Sequence, residues 1–134
     1  MVKITKQLSL LITLIFIGLY IQVQAAPPNV VVIYFDDTGW KDFGCFGGAV
    51  DTTHIDNLVK NGMRFTEYYA PAPNCSPSRA GLLTGRFPFR LGMYSYRSKN
   101  TPMHLPDSEI TIAEALKTKG YATGMFGKWH LGNL

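Results

Sequence analysis

Charge is scarce and nearly balanced along this chain of 134 residues: 16% of the residues are charged and the formal net charge is +4. Lys3 and Lys6 at the extreme N-terminus carry part of that excess, so the rest has no concentrated basic patch. That rules out a strong electrostatic case for nucleic acid, and no nucleic-acid partner is expected. Cysteine is scarcer still. Two cysteines cannot make a disulfide framework or a four-cysteine metal site. There is no internal repeat and no low-complexity tract, which excludes solenoids and disordered tails. Long apolar runs are also missing. The run from Leu8 to Ile21 is shorter than the roughly 20 residues of a spanning helix, so no stable membrane span is expected. With 46% apolar residues the chain has the composition of an ordinary globular unit.

The N-terminus reads as a targeting segment. Lys3 and Lys6 form a positive n-region, Leu8–Ile21 an apolar h-region, and Val23-Gln24-Ala25 a small-residue cleavage site. Residues 1–25 are thus expected to be a signal peptide, with an uncleaved signal-anchor as the plainer alternative, leaving 26–134 as one segment of a domain. Export permits disulfides, so a Cys45–Cys75 bridge stands as one reading of the two cysteines.

The remainder predicts alternating elements. Asn29 to Phe35 is a continuous β-branched and aromatic run, the pattern of a strand buried on both faces. Thr53 to Asn61 reads as a helix, with Ile55, Leu58 and Val59 on one face and Gly62 as its stop. Met63 to Tyr69 is a second strand pattern. A second helix is expected from Ser76-Pro77, with Ser as N-cap and Pro at the first helical position, to about Thr84. Arg86 to Pro106 reads as a long loop packed by Phe87, Phe89, Tyr94 and Tyr96. Thr111-Ile-Ala-Glu114 is a capping box opening a third helix, and Tyr121 to Phe126 is a third strand pattern ended by Gly127. That order predicts an α/β fold.

Open α/β sheets bind ligands beyond the carboxyl ends of their strands. Asp36 and Asp37 follow the first strand pattern, and adjacent carboxylates invite a hard divalent cation. A solvated Asp-Asp turn is the plainer alternative. Cys75 stands at a helix start, where the helix dipole favours a thiolate or an anionic adduct, and Arg79 shares its face four residues on. Lys128 and His130 follow the third strand pattern. In an extended segment they would point the same way, one a cation for anions and the other a proton carrier. His54 and His104 have no such pattern and read as surface residues. Arg86, Arg90, Arg97 and Lys99 could touch an anionic substrate, with solvated loop charges as the plainer reading.

Cys75-Ser76-Pro77-Ser78-Arg79, followed by Leu82-Leu83-Thr84-Gly85-Arg86, resembles the signature of the type I sulfatases. Gly120-Tyr121 through Gly127-Lys128-Trp129-His130 resembles their second signature, and Asn29 to Asp37 their opening strand and metal-binding Asp pair. The resemblance implies an alkaline phosphatase-like fold, present as its N-terminal part: a mainly parallel sheet flanked by helices. It implies a sulfuric ester hydrolase in which Cys75 is oxidised to formylglycine by a formylglycine-generating enzyme. The hydrated aldehyde attacks sulfur, the alcohol leaves, and the second hydroxyl loses a proton and expels sulfate. A divalent cation, Ca²⁺ with Mg²⁺ as the alternative, polarises the sulfate oxygens. By resemblance Asp36, Asp37 and position 75 would ligate the metal. Arg79 would brace the diol, Lys128 would bind diol and sulfate, and His130 would assist the eliminating hydroxyl. A Cys45–Cys75 disulfide would compete with all of this. Asn74-Cys75-Ser76 is formally a glycosylation sequon, expected to be unoccupied because a glycan would crowd the nucleophile.

In the family, an Asp, an Asn or Gln, a further Lys and a further His come from a later segment, and the sequence ends four residues after His130. The expectation is an N-terminal piece of a sulfatase with little activity alone. The substrate is expected to be a carbohydrate or aryl sulfate ester, and the location periplasmic or secreted, or lysosomal in a eukaryote. Two other functions stay open at this level. One is a phosphonate or phosphodiester hydrolase on the same scaffold. The other is an exported fragment that binds without catalysis.

Overall fold

The computed structural model describes residues 26–98 and 100–132. The expected signal peptide, residues 1–25, and Lys99 lie outside them. The chain divides into two compact units at Tyr34/Phe35. No helix among the described residues is long and apolar enough to cross a membrane.

In the first unit, residues 26–34 form neither helix nor strand, and Val31 is 81% exposed. The same correction applies to the other two strand patterns: the structure assigns no strand to any described residue. Met63–Tyr69 and Tyr121–Phe126 lie largely open, with Phe126 97% exposed. The physical reason is that a parallel strand has no local source of stability. It needs hydrogen-bonded neighbours on both sides and helices over both faces. The α/β expectation is therefore matched here in its helices alone.

The second unit contains three α-helices: α1 (Thr53–Asn61), α2 (Cys75–Thr84) and α3 (Ile112–Lys117). Helix α1 has the predicted bounds. Ile55 and Val59 are half-buried, whereas Leu58 on the same stripe is exposed. A short 3₁₀ turn, Gly44–Phe46, is tied to its first turn: Asp56 Oδ1 accepts from Cys45 N and from Thr52 Oγ1, each at 2.9 Å. Helix α3 carries the predicted capping box in full. Thr111 Oγ1 accepts from Glu114 N, and Glu114 Oε2 accepts from Thr111 N at 2.8 Å. These hydrogen bonds hold the Glu114 carboxyl below its ordinary range.

Helix α2 begins earlier than predicted. Cys75 is the first helical residue and Asn74 the N-cap, which moves Pro77 to the third position. Pro is tolerated there because the first-turn N–H groups lack intrahelical partners. Gly85 ends the helix at φ +66 and donates to Gly81 O at 2.9 Å, a left-handed cap that glycine adopts freely. Gly81 is required for closeness instead: a Cβ there would lie 2.7 Å from Pro71 Cγ.

The long loop contains a further 3₁₀ turn, Pro88–Leu91. Its aromatics do not pack inward as expected. Phe87, Phe89 and Tyr94 form an exposed ladder with centroids 5.4 and 5.8 Å apart. The interior is made instead by Ala80, Leu91, Met93, Leu105 and Leu131, with Leu83, Met103 and Trp129 against them. Each buried Leu or Met side chain contributes roughly 1.5–3 kcal/mol. This small core fixes the C-terminal segment: Leu105 N donates to Leu131 O at 2.7 Å, which sets the position of residues 128–130.

Candidate active site

Helix α2 is the axis of the site. Cys75 opens it, half-buried, and Ser76 to Gly81 are buried along it. Arg79, one turn on, reaches out of this buried stretch. Its Nη1 donates to the Lys128 carbonyl at 2.5 Å, and its Nη2 lies 3.6 Å from Asp36 Oδ1. Lys128 Nζ lies 2.6 Å from Asp36 Oδ2. Two cationic side chains from distant stretches of sequence thus meet on the Asp36 carboxylate. The Lys128 hydrogen bond holds the Asp36 carboxyl below its ordinary range, aided by the charges of Lys128 and Arg79. The same bond raises Lys128, and the ionised form of Cys75 adds to that rise. The thiol is therefore within electrostatic reach of the lysine.

Asp36 sits in a bend, with Thr38 Oγ1 donating to its carbonyl at 3.2 Å. Asp37 follows in the left-handed region, φ +51, a conformation Asp tolerates better than most residues. Its carboxylate makes no hydrogen bond or ion pair among the described residues. No three His, Cys, Asp or Glu side chains among the described residues stand close enough together to hold a metal. In this arrangement the Lys128 ammonium pairs with an Asp36 oxygen that a divalent cation would otherwise bind. A calcium ion shared by Asp36, Asp37 and position 75 would require Lys128 to withdraw.

His130 lies elsewhere in its own contacts. Its Nε2 is 2.8 Å from the Arg97 carbonyl. The expected common direction of Lys128 and His130 presumes extended backbone. Gly127 at φ +109 and His130 at φ +58 depart from it. Lys128 meets Asp36, and His130 meets the loop. Cys45 and Cys75 are both free thiols, so the disulfide reading is not realised. Partial burial, then Asp56, pushes the Cys45 thiol up, against reactivity.

Sequence reasoning missed the part played by Ser76 and Arg97. Ser76, read as a helix cap, instead accepts the Arg97 backbone N–H at 2.9 Å. Arg97, read as a solvated charge, is half-buried. A serine beside a helix-start cysteine is a visible signal. A contact made through a loop peptide has none. His54 and His104 are exposed, as expected, and Arg86 pairs with Glu109.

A family model described as Sulfatase matches residues 28–134. Arylsulfatase A of Homo sapiens is 51% identical over 110 residues, covering 81% of this chain and 22% of that protein. Arylsulfatase G of Mus musculus is 46% identical over 111 residues, 82% of this chain and 21% of that protein. N-acetylgalactosamine-6-sulfatase of Sus scrofa is 42% identical over 133 residues, 92% of this chain and 26% of that protein. The chain thus spans about a quarter or less of the length of these relatives.

Proposed function

The chain belongs to the sulfatase family, and from that premise we propose that it is the N-terminal catalytic segment of an exported sulfuric ester hydrolase. The family implies an α/β, alkaline phosphatase-like class. The observation that carries the reading is the convergence of Lys128 and Arg79 on Asp36 beside the helix that Cys75 opens. A sulfate ester is a tetrahedral oxyanion, and a paired lysine and arginine next to a helix start suit such a group.

When Cys75 is oxidised to formylglycine by a dedicated modifying enzyme, position 75 supplies a hydrated aldehyde oxygen as nucleophile. The chain's own residues do the rest of what is proposed here. Arg79, buried and tied to the Lys128 carbonyl, orients the 128–130 segment against the start of α2. Lys128 brings a charge that Asp36 steers and that can turn to a sulfate oxygen. His130 accepts a proton from the hydroxyl that drives sulfate release. Residues 1–25 are proposed to direct export to the periplasm, the cell exterior or, in a eukaryote, the lysosome.

The relatives are named for aryl, steryl and N-acetylgalactosamine sulfates. Their common element is the sulfate ester, and that is the substrate class proposed. The test is mass spectrometry of the tryptic peptide spanning residues 65–79, isolated from the native host. Conversion replaces the elements of H₂S by oxygen at position 75. An intact Cys75 thiol throughout the population sinks the proposal.

A further inference from the structure

The two backbone polar groups of one loop residue, Arg97, tie the start of α2 to His130. The Arg97 backbone N–H donates to Ser76 Oγ at 2.9 Å, and the Arg97 carbonyl lies 2.8 Å from His130 Nε2. Ser76 is fully buried, so its hydroxyl is shielded from competing water. A carbonyl oxygen only accepts, so His130 Nε2 carries the proton in that contact. In the neutral ring the lone pair is then on Nδ1. That nitrogen is buried and has no hydrogen-bond partner among the described residues. The backbone reinforces the picture: His130 is held at φ +58, which a non-glycine residue keeps only where its surroundings over-determine it. His104 provides the opposite case in the same molecule. Its Nδ1 faces the Pro102 carbonyl at 2.9 Å, so Nδ1 carries its proton.

We infer that Ser76 is a positioning residue acting through the Arg97 backbone. Its hydroxyl fixes the Arg97 N–H, and with it the loop backbone on either side of the Arg97 Cα, so that the Arg97 carbonyl locks His130 as the Nε2–H tautomer and leaves Nδ1 as the basic nitrogen. The tautomer follows from the contacts alone, while its catalytic meaning rests on the sulfatase reading. Under that reading, Nδ1 takes the hydroxyl proton as sulfate leaves, and the residue immediately after the nucleophile sets the base that serves it.

The test is two-bond ¹H–¹⁵N correlation of the imidazole rings in uniformly ¹⁵N-labelled protein, above the ordinary histidine range so that the rings are neutral. His104→Gln and His130→Gln assign the signals. In the wild type, His130 is expected to show a protonated, pyrrole-type Nε2 and a pyridine-type Nδ1, and His104 the reverse. Ser76→Ala should move both His130 nitrogens toward averaged positions and leave His104 unchanged. Ser76→Thr, which keeps the hydroxyl, should restore the wild-type pattern. A wild-type His130 protonated on Nδ1 overturns the inference, as does a folded Ser76→Ala protein with unchanged His130 shifts. Should Ser76→Ala fail to fold, exchange of the Arg97 amide in the wild type decides. Slow exchange supports the contact, and exchange as fast as an unbonded amide overturns it. None of these readouts needs turnover. The expected tautomer together with an unconverted Cys75 would sink the sulfatase reading and leave this inference standing.

Discussion

Replacing Arg79 by methionine keeps most of the buried side-chain volume and removes the guanidinium that anchors residues 128–130. The Arg79 side chain is 11% exposed and donates to the Lys128 carbonyl at 2.5 Å. A hydrogen bond from a charged donor contributes about 1.5–3 kcal/mol, and the carbonyl left behind loses its partner. The contact with Asp36 adds little, because it is 3.6 Å long and that carboxylate is a third exposed and already held by Lys128. The expected loss is about 2 kcal/mol, roughly a thirtyfold change in the folding equilibrium. Urea unfolding followed by tryptophan fluorescence reads it, since half-buried Trp129 adjoins Lys128. With a slope of about 2 kcal/mol per molar, the midpoint should fall by about 1 M at unchanged slope. A fall below about 0.3 M would refute the claim that this guanidinium anchors the segment, on the same slope.

The ion pair of Asp36 with Lys128 predicts a pH window. Asp36 is lowered in the fold, so its contribution is present above the ordinary carboxylate range and is lost as pH falls through the folded value; Lys128 is raised, so its contribution is present below the ordinary lysine range and is lost as pH rises through the folded value. The urea midpoint should therefore be flat between about pH 5 and pH 10 in this respect and fall outside it. Asp36→Asn should remove both edges, and a variant that keeps them refutes the pairing. Thr111→Ala should cost about 1 kcal/mol through loss of the cap, with Thr111→Ser retaining most of it; amide exchange in α3 checks this, and equal exchange in both variants counts against the capping box. Met93, fully buried in the core, should cost about 2–5 kcal/mol when replaced by Ala, read as a loss of melting temperature; an unchanged melt would mean that the cluster does not hold the loop.

How far the sequence could be read depended on the range of each interaction. Helix α1 was legible because its apolar spacing and its terminating glycine lie within a dozen residues. The α3 capping box was legible because both partners are three residues apart. The start of α2 was read late because Ser76-Pro77 also satisfies the rule for a cap and first position, and local chemistry cannot choose between that and Asn74-Cys75. The strand patterns predicted apolar extended segments, and β-branched composition supplies that tendency without supplying neighbours to pair with.

The sequence by itself determined the family, the helices, and which side chains can carry chemistry, because these depend on residue type at short spacing. Tertiary structure alone decided that Lys128 and Arg79 meet on Asp36, across separations of up to 92 residues. It also decided that His130 answers to a loop carbonyl rather than to its neighbour two places before it. The reason is that such contacts are set by where the small core of Ala80, Leu91, Met93, Leu105 and Leu131 places the segments that bear them. No periodicity along the chain encodes that placement.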